Sequence, residues 1–256
     1  MIHPGLVSVT FRALTPTQIV ALVRQAGLRG IEWGGDIHVP HGNLARAREV
    51  REMTQEAGLS VAAYGSYYRA AQSEADGLAF EHVLATAVEL GAPTIRVWAG
   101  GVGSAAADAV QRARVADDLR RIATLAEAAR LTVALEFHGG TLTDTAESTR
   151  RLLDAVNHPH LFTYWQPPLD RDTADCMADL RSLLPRVTHL HVYHWKPSPM
   201  ERLPLADGAA RWRDFIGIAA GVAVDRYAML EFVERDEPEC FLRDAATLKA
   251  LLTPAR

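Results

Sequence analysis

Glu136, Gln166, His191 and Glu231 each stand at the end of a short apolar run, and each carries an oxygen or nitrogen able to hold a metal ion. Two carboxylates, one imidazole and one amide oxygen form a mixed donor set suited to manganese, magnesium, cobalt or zinc. The gaps between them are far longer than a local zinc motif allows, so they meet only if the fold gathers their runs. The organising stretch is Val133-Ala134-Leu135-Glu136-Phe137-His138-Gly139-Gly140, an apolar segment ending in a carboxylate, an imidazole and two glycines ahead of a helix start at Thr143-Asp144. A buried strand that delivers a charged group at its C-terminal tip and then turns into a helix is the working unit of a βα enzyme. The competing reading of either glutamate is a strand-end ion pair, as with Arg96.

The rest of the chain repeats that unit. Gly5–Phe11 leads to a helix from Pro16 to Ala26, with Thr15 as N-cap and Gly27 as stop. Gly30–Trp33 precedes a helix Leu44–Ala57, and Ser60–Tyr64 a helix ending near Leu90, with Gly65–Arg69 as loop. Thr94–Trp98 is followed by a long alanine-rich helix to about Arg130, and the central stretch by a helix Asp144–Val156. Leu161–Gln166, Val187–Trp195 and Tyr227–Phe232 complete eight units, with helices Thr173–Leu184, one opening at Trp212, and Pro238–Leu252. Eight alternations without a linker or charge block predict an α/β fold, a single (β/α)8 TIM barrel spanning residues 1–256. An open doubly wound sheet would show a glycine-rich phosphate turn after its first strand; Thr10-Phe11-Arg12-Ala13 is not one.

Strand parity places the polar set inside. If Glu136, His191 and Glu231 point into the barrel, then Val133, Leu135, Phe137, Leu190, Val192, Leu230 and Phe232 point at the helices. Arg96 shares the inward face of its strand with Trp98, and Ile95 and Val97 take the other; His189 lies one inward step below His191. Of five tryptophans, Trp33, Trp98, Trp165 and Trp195 all fall at strand C-termini. Their rings suit the C–H face of an uncharged carbohydrate, so they and Arg96 form the expected substrate wall. His38 and His41 could close over it, and the proline-rich segment Lys196–Ala210 reads as a lid or an oligomer contact.

Gly30-Ile31-Glu32, Leu135-Glu136, His189-Leu190-His191-Val192 and Leu230-Glu231 together resemble the xylose-isomerase-like barrel superfamily, in the branch of sugar phosphate isomerases and epimerases, across essentially the whole chain. The resemblance implies one divalent ion, manganese first, held by Glu, Asp, His and Glu, with the two glutamates also the acid/base pair. By position these are Glu136, His191 and Glu231, and the Asp slot falls on Gln166, which removes one negative charge. The epimerase pattern also has a His where Leu169 stands and an Arg near Pro197-Ser198. His194 occupies a slot often held by Asp and becomes, with His138, a third acid/base candidate. The implied chemistry is proton abstraction beside a metal-polarised carbonyl. It ends in isomerisation or epimerisation of a keto-sugar or polyol derivative, or alternatively in dehydration by a keto-inositol or dehydroshikimate type of lyase. A sugar-binding barrel without turnover is the non-enzymatic alternative.

Of the 256 residues 48% are hydrophobic and 23% charged, and the formal charge is −4, which gives no electrostatic case for nucleic acid and argues against an abasic-site endonuclease. No arginine or lysine cluster marks a phosphate cradle at the strand tips. Cys176 and Cys240 have neither disulfide-framework nor zinc spacing, no signal peptide is visible, and no apolar run reaches a membrane span. These readings predict a cytoplasmic protein with a small carbohydrate-like substrate and no membrane partner. A homo-oligomer would follow the family's habit.

Overall fold

The computed structural model describes residues 1–197 and 200–253. Eight parallel strands close into a barrel: β1 (Ile2–Val7), β2 (Gly30–Gly34), β3 (Ser60–Arg69), β4 (Thr94–Trp98), β5 (Thr132–Leu135), β6 (Leu161–Trp165), β7 (Val187–Val192) and β10 (Arg226–Leu230). Each neighbours its sequence neighbour in the wall, and β10 closes against β1 through Ile2↔Arg226 to Leu6↔Leu230. The two remaining strands, β8 (Trp195–Pro197) and β9 (Met200–Arg202), form an antiparallel hairpin above the mouth. Around the barrel run α1 (Pro16–Ala26), α2 (Leu44–Glu56), α3 (Phe80–Leu90), α4 (Ala109–Ala128), α5 (Ala146–Val156), α6 (Thr173–Leu183), α7 (Ala209–Ala220) and α8 (Pro238–Leu252). Among the described residues, no helix is long and apolar enough to cross a membrane.

Local chemistry sets the boundaries. Thr15 and Gln18 form a reciprocal capping box at the start of α1, with Pro16 at the first helical position. Gly27 ends that helix at φ +67°, a conformation that would strain any residue with a Cβ. Asp108 and Gln111 cap α4 in the same way. The outward residues Ile95, Val97, Val133, Leu135, Phe137, Leu190, Val192 and Leu230 are all buried in one continuous layer against the helices. A smaller inner cluster holds Val7, Ala63, Ala134, Tyr164 and Met229. Truncating an outward residue such as Leu135 to alanine should cost about 2–5 kcal/mol.

The structure departs from the sequence reading in several places. β1 starts at Ile2 and stops at Val7, because Ser8–Phe11 turns into a buried 3-10 segment. The Ser8 hydroxyl accepts from Gly34 N and meets His38 Nδ1 at 2.9 Å. β3 continues through the expected loop to Arg69, with a register shift between Gly65 and Arg69 where Tyr67 takes φ +56°. The long Lys196–Ala210 segment contains the β8–β9 hairpin and a 3-10 turn at Leu205–Gly208, and α7 opens at Ala209, ahead of Trp212. Phe232, expected outward, takes φ +53° and packs against the inner cluster, because its positive φ breaks the strand alternation.

Candidate active site at the barrel mouth

Each strand of one half of the barrel presents one donor at its C-terminal end. Glu136, Gln166 and Glu231 are the first residues beyond β5, β6 and β10, and His191 is the penultimate residue of β7. The backbone ladder carries past the strand ends: Glu136 N donates to Val97 O and Glu231 N to Val192 O, so both carboxylates start from fixed backbone. His191 Nδ1 lies 3.0 Å from Gln166 Oε1, 3.2 Å from Glu231 Oε2 and 3.9 Å from Glu136 Oε1. Ligand atoms of Glu136, His191 and Glu231 all fall within 4.8 Å of one another, with all three residues buried. Oxygen and nitrogen donors at that mutual spacing fit a small divalent ion, with the Gln166 amide oxygen beside them. The imidazole nitrogen that would bind the ion faces both Glu231 and Gln166, so proton and ion compete for it.

The opposite wall neutralises these acids. Arg96, 1% exposed, donates to Glu32 at 2.7 Å and forms a second short ion pair with Glu136. Trp98 donates its indole N–H to the same Glu136 oxygen. Arg96, expected as a substrate contact, engages two carboxylates inside the barrel through Nε and Nη1, and its buried Nη2 has no hydrogen-bond partner among the described residues. Glu32 was absent from the expected site. Strand parity could have found it, since Ile31 and Trp33 face the helices and leave Glu32 inward. Burial alone would raise the Glu32 carboxyl, but Arg96 and His191 outweigh it and hold Glu32 below the usual carboxylate range. Burial would likewise lower His191, yet Glu231 and Glu32 raise it to about 10. Glu32 Oε2 and His191 Nε2 have no hydrogen-bond partner among the described residues.

The mouth collects some of the remaining candidates. His138 stacks on Trp98 with ring centroids 4.7 Å apart, and lines a cleft of about 520 Å³ with Gln166, Leu169, Tyr193 and Trp195. Trp195 stacks on Tyr193 at 4.2 Å, and the Tyr193 hydroxyl donates to Pro167 O. Leu169, where the epimerase pattern has its histidine, thus lies on the cleft wall as an apolar residue. Ser198, at the expected arginine position, lies outside the described residues.

Three candidates are elsewhere. Trp33 is fully buried on the helix side and donates to Thr54 of α2 at 3.2 Å. Trp165, also fully buried, packs edge-on against Phe215 of α7 at 4.9 Å. Both are strand residues of the outward parity, one step from an inward polar residue, so they belong to the core layer and not to the substrate wall. His194 turns away from the mouth, against the Leu205–Gly208 turn: a Cβ at Gly208 would lie 2.6 Å from its Nδ1. The loop histidines are also tied back, His38 to Ser8 and His41 to the Tyr64 hydroxyl at 2.7 Å.

The architecture has close counterparts. The solved structure of the probable 3-DHS dehydratase AsbF of Bacillus anthracis superposes with a TM-score of 0.81 over 97% of this chain and 99% of that one, at 22% identity. D-psicose 3-epimerase of Clostridium cellulolyticum H10 superposes at 0.72 over 99% and 100%, at 15% identity. At these identities the likeness is one of fold. In sequence, a 3-dehydroshikimate dehydratase of Bacillus anthracis is 34% identical over 103 residues, 38% of this chain, and the match spans about a third (35%) of that protein. The family model of the xylose isomerase-like TIM barrel matches residues 20–251, and the chain belongs to that family.

Proposed function

We propose that this barrel is a divalent-metal-dependent dehydratase acting on a cyclic hydroxy-keto compound of the 3-dehydroshikimate type. The observation that carries the reading is His138, an imidazole that shares the cleft wall with Gln166 and stacks on Trp98, the indole that donates to Glu136. Epimerisation needs two proton-transfer groups on opposite faces of one carbon. Dehydration needs one group to take a proton and another to protonate the departing hydroxyl. Glu136 is held by Arg96 and Trp98, which suits a fixed ligand better than a mobile base. The partial sequence match to a 3-dehydroshikimate dehydratase supports the same choice.

An ion held by Glu136, Gln166, His191 and Glu231, manganese first, would polarise the substrate carbonyl and acidify the neighbouring C–H. Glu231 takes that proton. The β-hydroxyl leaves as water with a proton from His138, and the C–H electron pair becomes the new ring double bond. From 3-dehydroshikimate, tautomerisation then yields 3,4-dihydroxybenzoate plus water, so atoms balance without an oxidant. Both groups return to their starting states by proton exchange with solvent.

The test follows aromatic absorbance on adding 3-dehydroshikimate to the manganese-loaded protein. Turnover in the wild type, with a loss of about 10²- to 10⁴-fold in His138→Gln at unchanged metal content, supports the assignment. Wild-type inertness with this substrate sinks it. A second reading, 3-epimerisation of a ketose, draws on the paired carboxylates Glu136 and Glu231 in the donor set. It predicts solvent-deuterium incorporation into a ketose without release of water.

A further inference from the structure

Of Arg12, Arg69 and Arg202, which follow or end strands, and Arg96, which lies inside the barrel, three are already paired. Arg12 holds Asp36, Arg202 holds Asp236, and Arg96 holds Glu32 and Glu136. Arg69 pairs with no carboxylate among the described residues, and its guanidinium lies 4.1 Å over the ring of Trp98. That indole is the same one that donates to Glu136 and carries His138 on its ring. A free cation, a metal-ligand candidate and a proton-transfer candidate therefore surround a single tryptophan.

The backbone holds Arg69 in this place. Arg69 pairs with Trp98 across the β3–β4 ladder, beyond the register shift that begins at Gly65. Its N–H donates to Ser73 Oγ at 2.7 Å, and Ala70 N donates to Trp98 O. The shift includes Tyr67 in the left-handed region, a costly conformation for a bulky residue. Bulges of this kind redirect side chains beside active sites. Stacking on Trp98 orients the guanidinium plane without consuming its N–H donors.

We infer that Arg69 binds a carboxylate of the substrate, so that the mouth selects a cyclic hydroxy-keto acid over a neutral sugar. The inference rests on the metal-dependent reading of the site given above. In a six-membered hydroxy-keto acid of this type the carboxylate stands across the ring from the carbonyl and hydroxyl oxygens. Trp98, whose indole N–H reaches Glu136 and whose ring carries the Arg69 guanidinium, links the metal-ligand candidates to a cation, the two ends that such a ring acid would engage. Arginine offers a planar fork matched to both carboxylate oxygens. Arg96, the arginine that the strand pattern placed in the substrate wall, is instead engaged by Glu32 and Glu136.

The test compares binding of 3,4-dihydroxybenzoate and of catechol, the same diol without the carboxylate, by calorimetry on the manganese-loaded protein. The wild type should prefer the benzoate by about 10-fold or more, Arg69→Gln should abolish the preference, and Arg69→Lys should keep part of it. Equal affinities in the wild type, no binding of either ligand, or an undiminished preference in Arg69→Gln would each overturn the assignment. If Arg69→Gln is misfolded, Arg69→Lys decides: full retention of the preference overturns it, and partial loss supports it. Turnover of 3-dehydroshikimate is scored separately. A wild type that discriminates without turnover refutes dehydration and leaves Arg69 in its role.

Discussion

His189 and His191 are two residues apart on the same inward face of β7, yet their surroundings drive them in opposite directions. His191 is in the layer that holds Glu32, Glu136 and Glu231, and is raised to about 10. His189, one layer deeper, accepts a hydrogen bond from Tyr227 N and packs against the rings of Tyr164 and Tyr227. There burial dominates, and the imidazole is lowered to about 4. The same side chain is thus a charged partner of carboxylates in one layer and a neutral packing group in the next. Residue type offers the chemistry, and the layer decides which chemistry is used.

The sharpest way to break the contrast is to remove an acid from the upper layer. Glu231→Gln should lower activity by about 10²- to 10⁴-fold and weaken metal retention, read by turnover and elemental analysis. Full activity with full metal content would remove Glu231 from the site. Next comes the cation that neutralises the acids. Arg96→Met leaves Glu32 and Glu136 uncompensated in the interior and should cost about 3–5 kcal/mol in urea unfolding. A loss below 1 kcal/mol would mean that the buried network contributes little.

The two histidines also set a pH window for the metal-free protein. His191, raised above its usual 6.5, contributes stability that is present below pH 6.5 and lost as pH climbs toward 10. His189, lowered, contributes stability present above 6.5 and lost as pH falls toward 4. Glu32 and Glu231, both depressed, add stability that is present above about 4.5 and lost in acid. Unfolding midpoints should therefore peak near pH 6.5 and fall on both sides. Manganese should flatten the alkaline limb, because the ion replaces the proton on His191. A metal-free profile that is flat from pH 6 to 10 would contradict the charged upper layer. The smallest effect is expected at Trp33→Phe, which loses the Thr54 hydrogen bond, about 1 kcal/mol of stability, and leaves substrate binding unchanged. A changed KM there would return Trp33 to the substrate wall.

Much of the fold was legible because barrels repeat a simple unit. Thr15-Pro16 and Gly27 delimit α1 as capping chemistry requires, and the aliphatic faces of β4, β5, β7 and β10 follow period two. The rule failed at Phe232, where φ turned positive, because a left-handed residue resets which side its neighbours face; Tyr67, also left-handed, lies where β3 runs on through the expected loop. Glu32 and Trp33 are neighbours on one strand, so parity sends one to each face: the glutamate goes inward to Arg96 and the tryptophan outward to Thr54. His194 fits the family slot three residues after His191 by spacing alone, but β7 ends at Val192 and the chain turns before it arrives.

The sequence by itself determined the alternation of strands and helices, the aliphatic outer layer, and the candidate donors at strand ends, because each follows from local periodicity and capping. The tertiary structure decided what those groups face. It joined Arg96 to Glu32 and Glu136, turned Trp33 and Trp165 into core, and left Arg69 beside Trp98 with no acid paired to it among the described residues. Such pairings depend on barrel closure and strand register, which bring residues far apart in the chain to within a hydrogen bond of one another, and no local pattern encodes that distance.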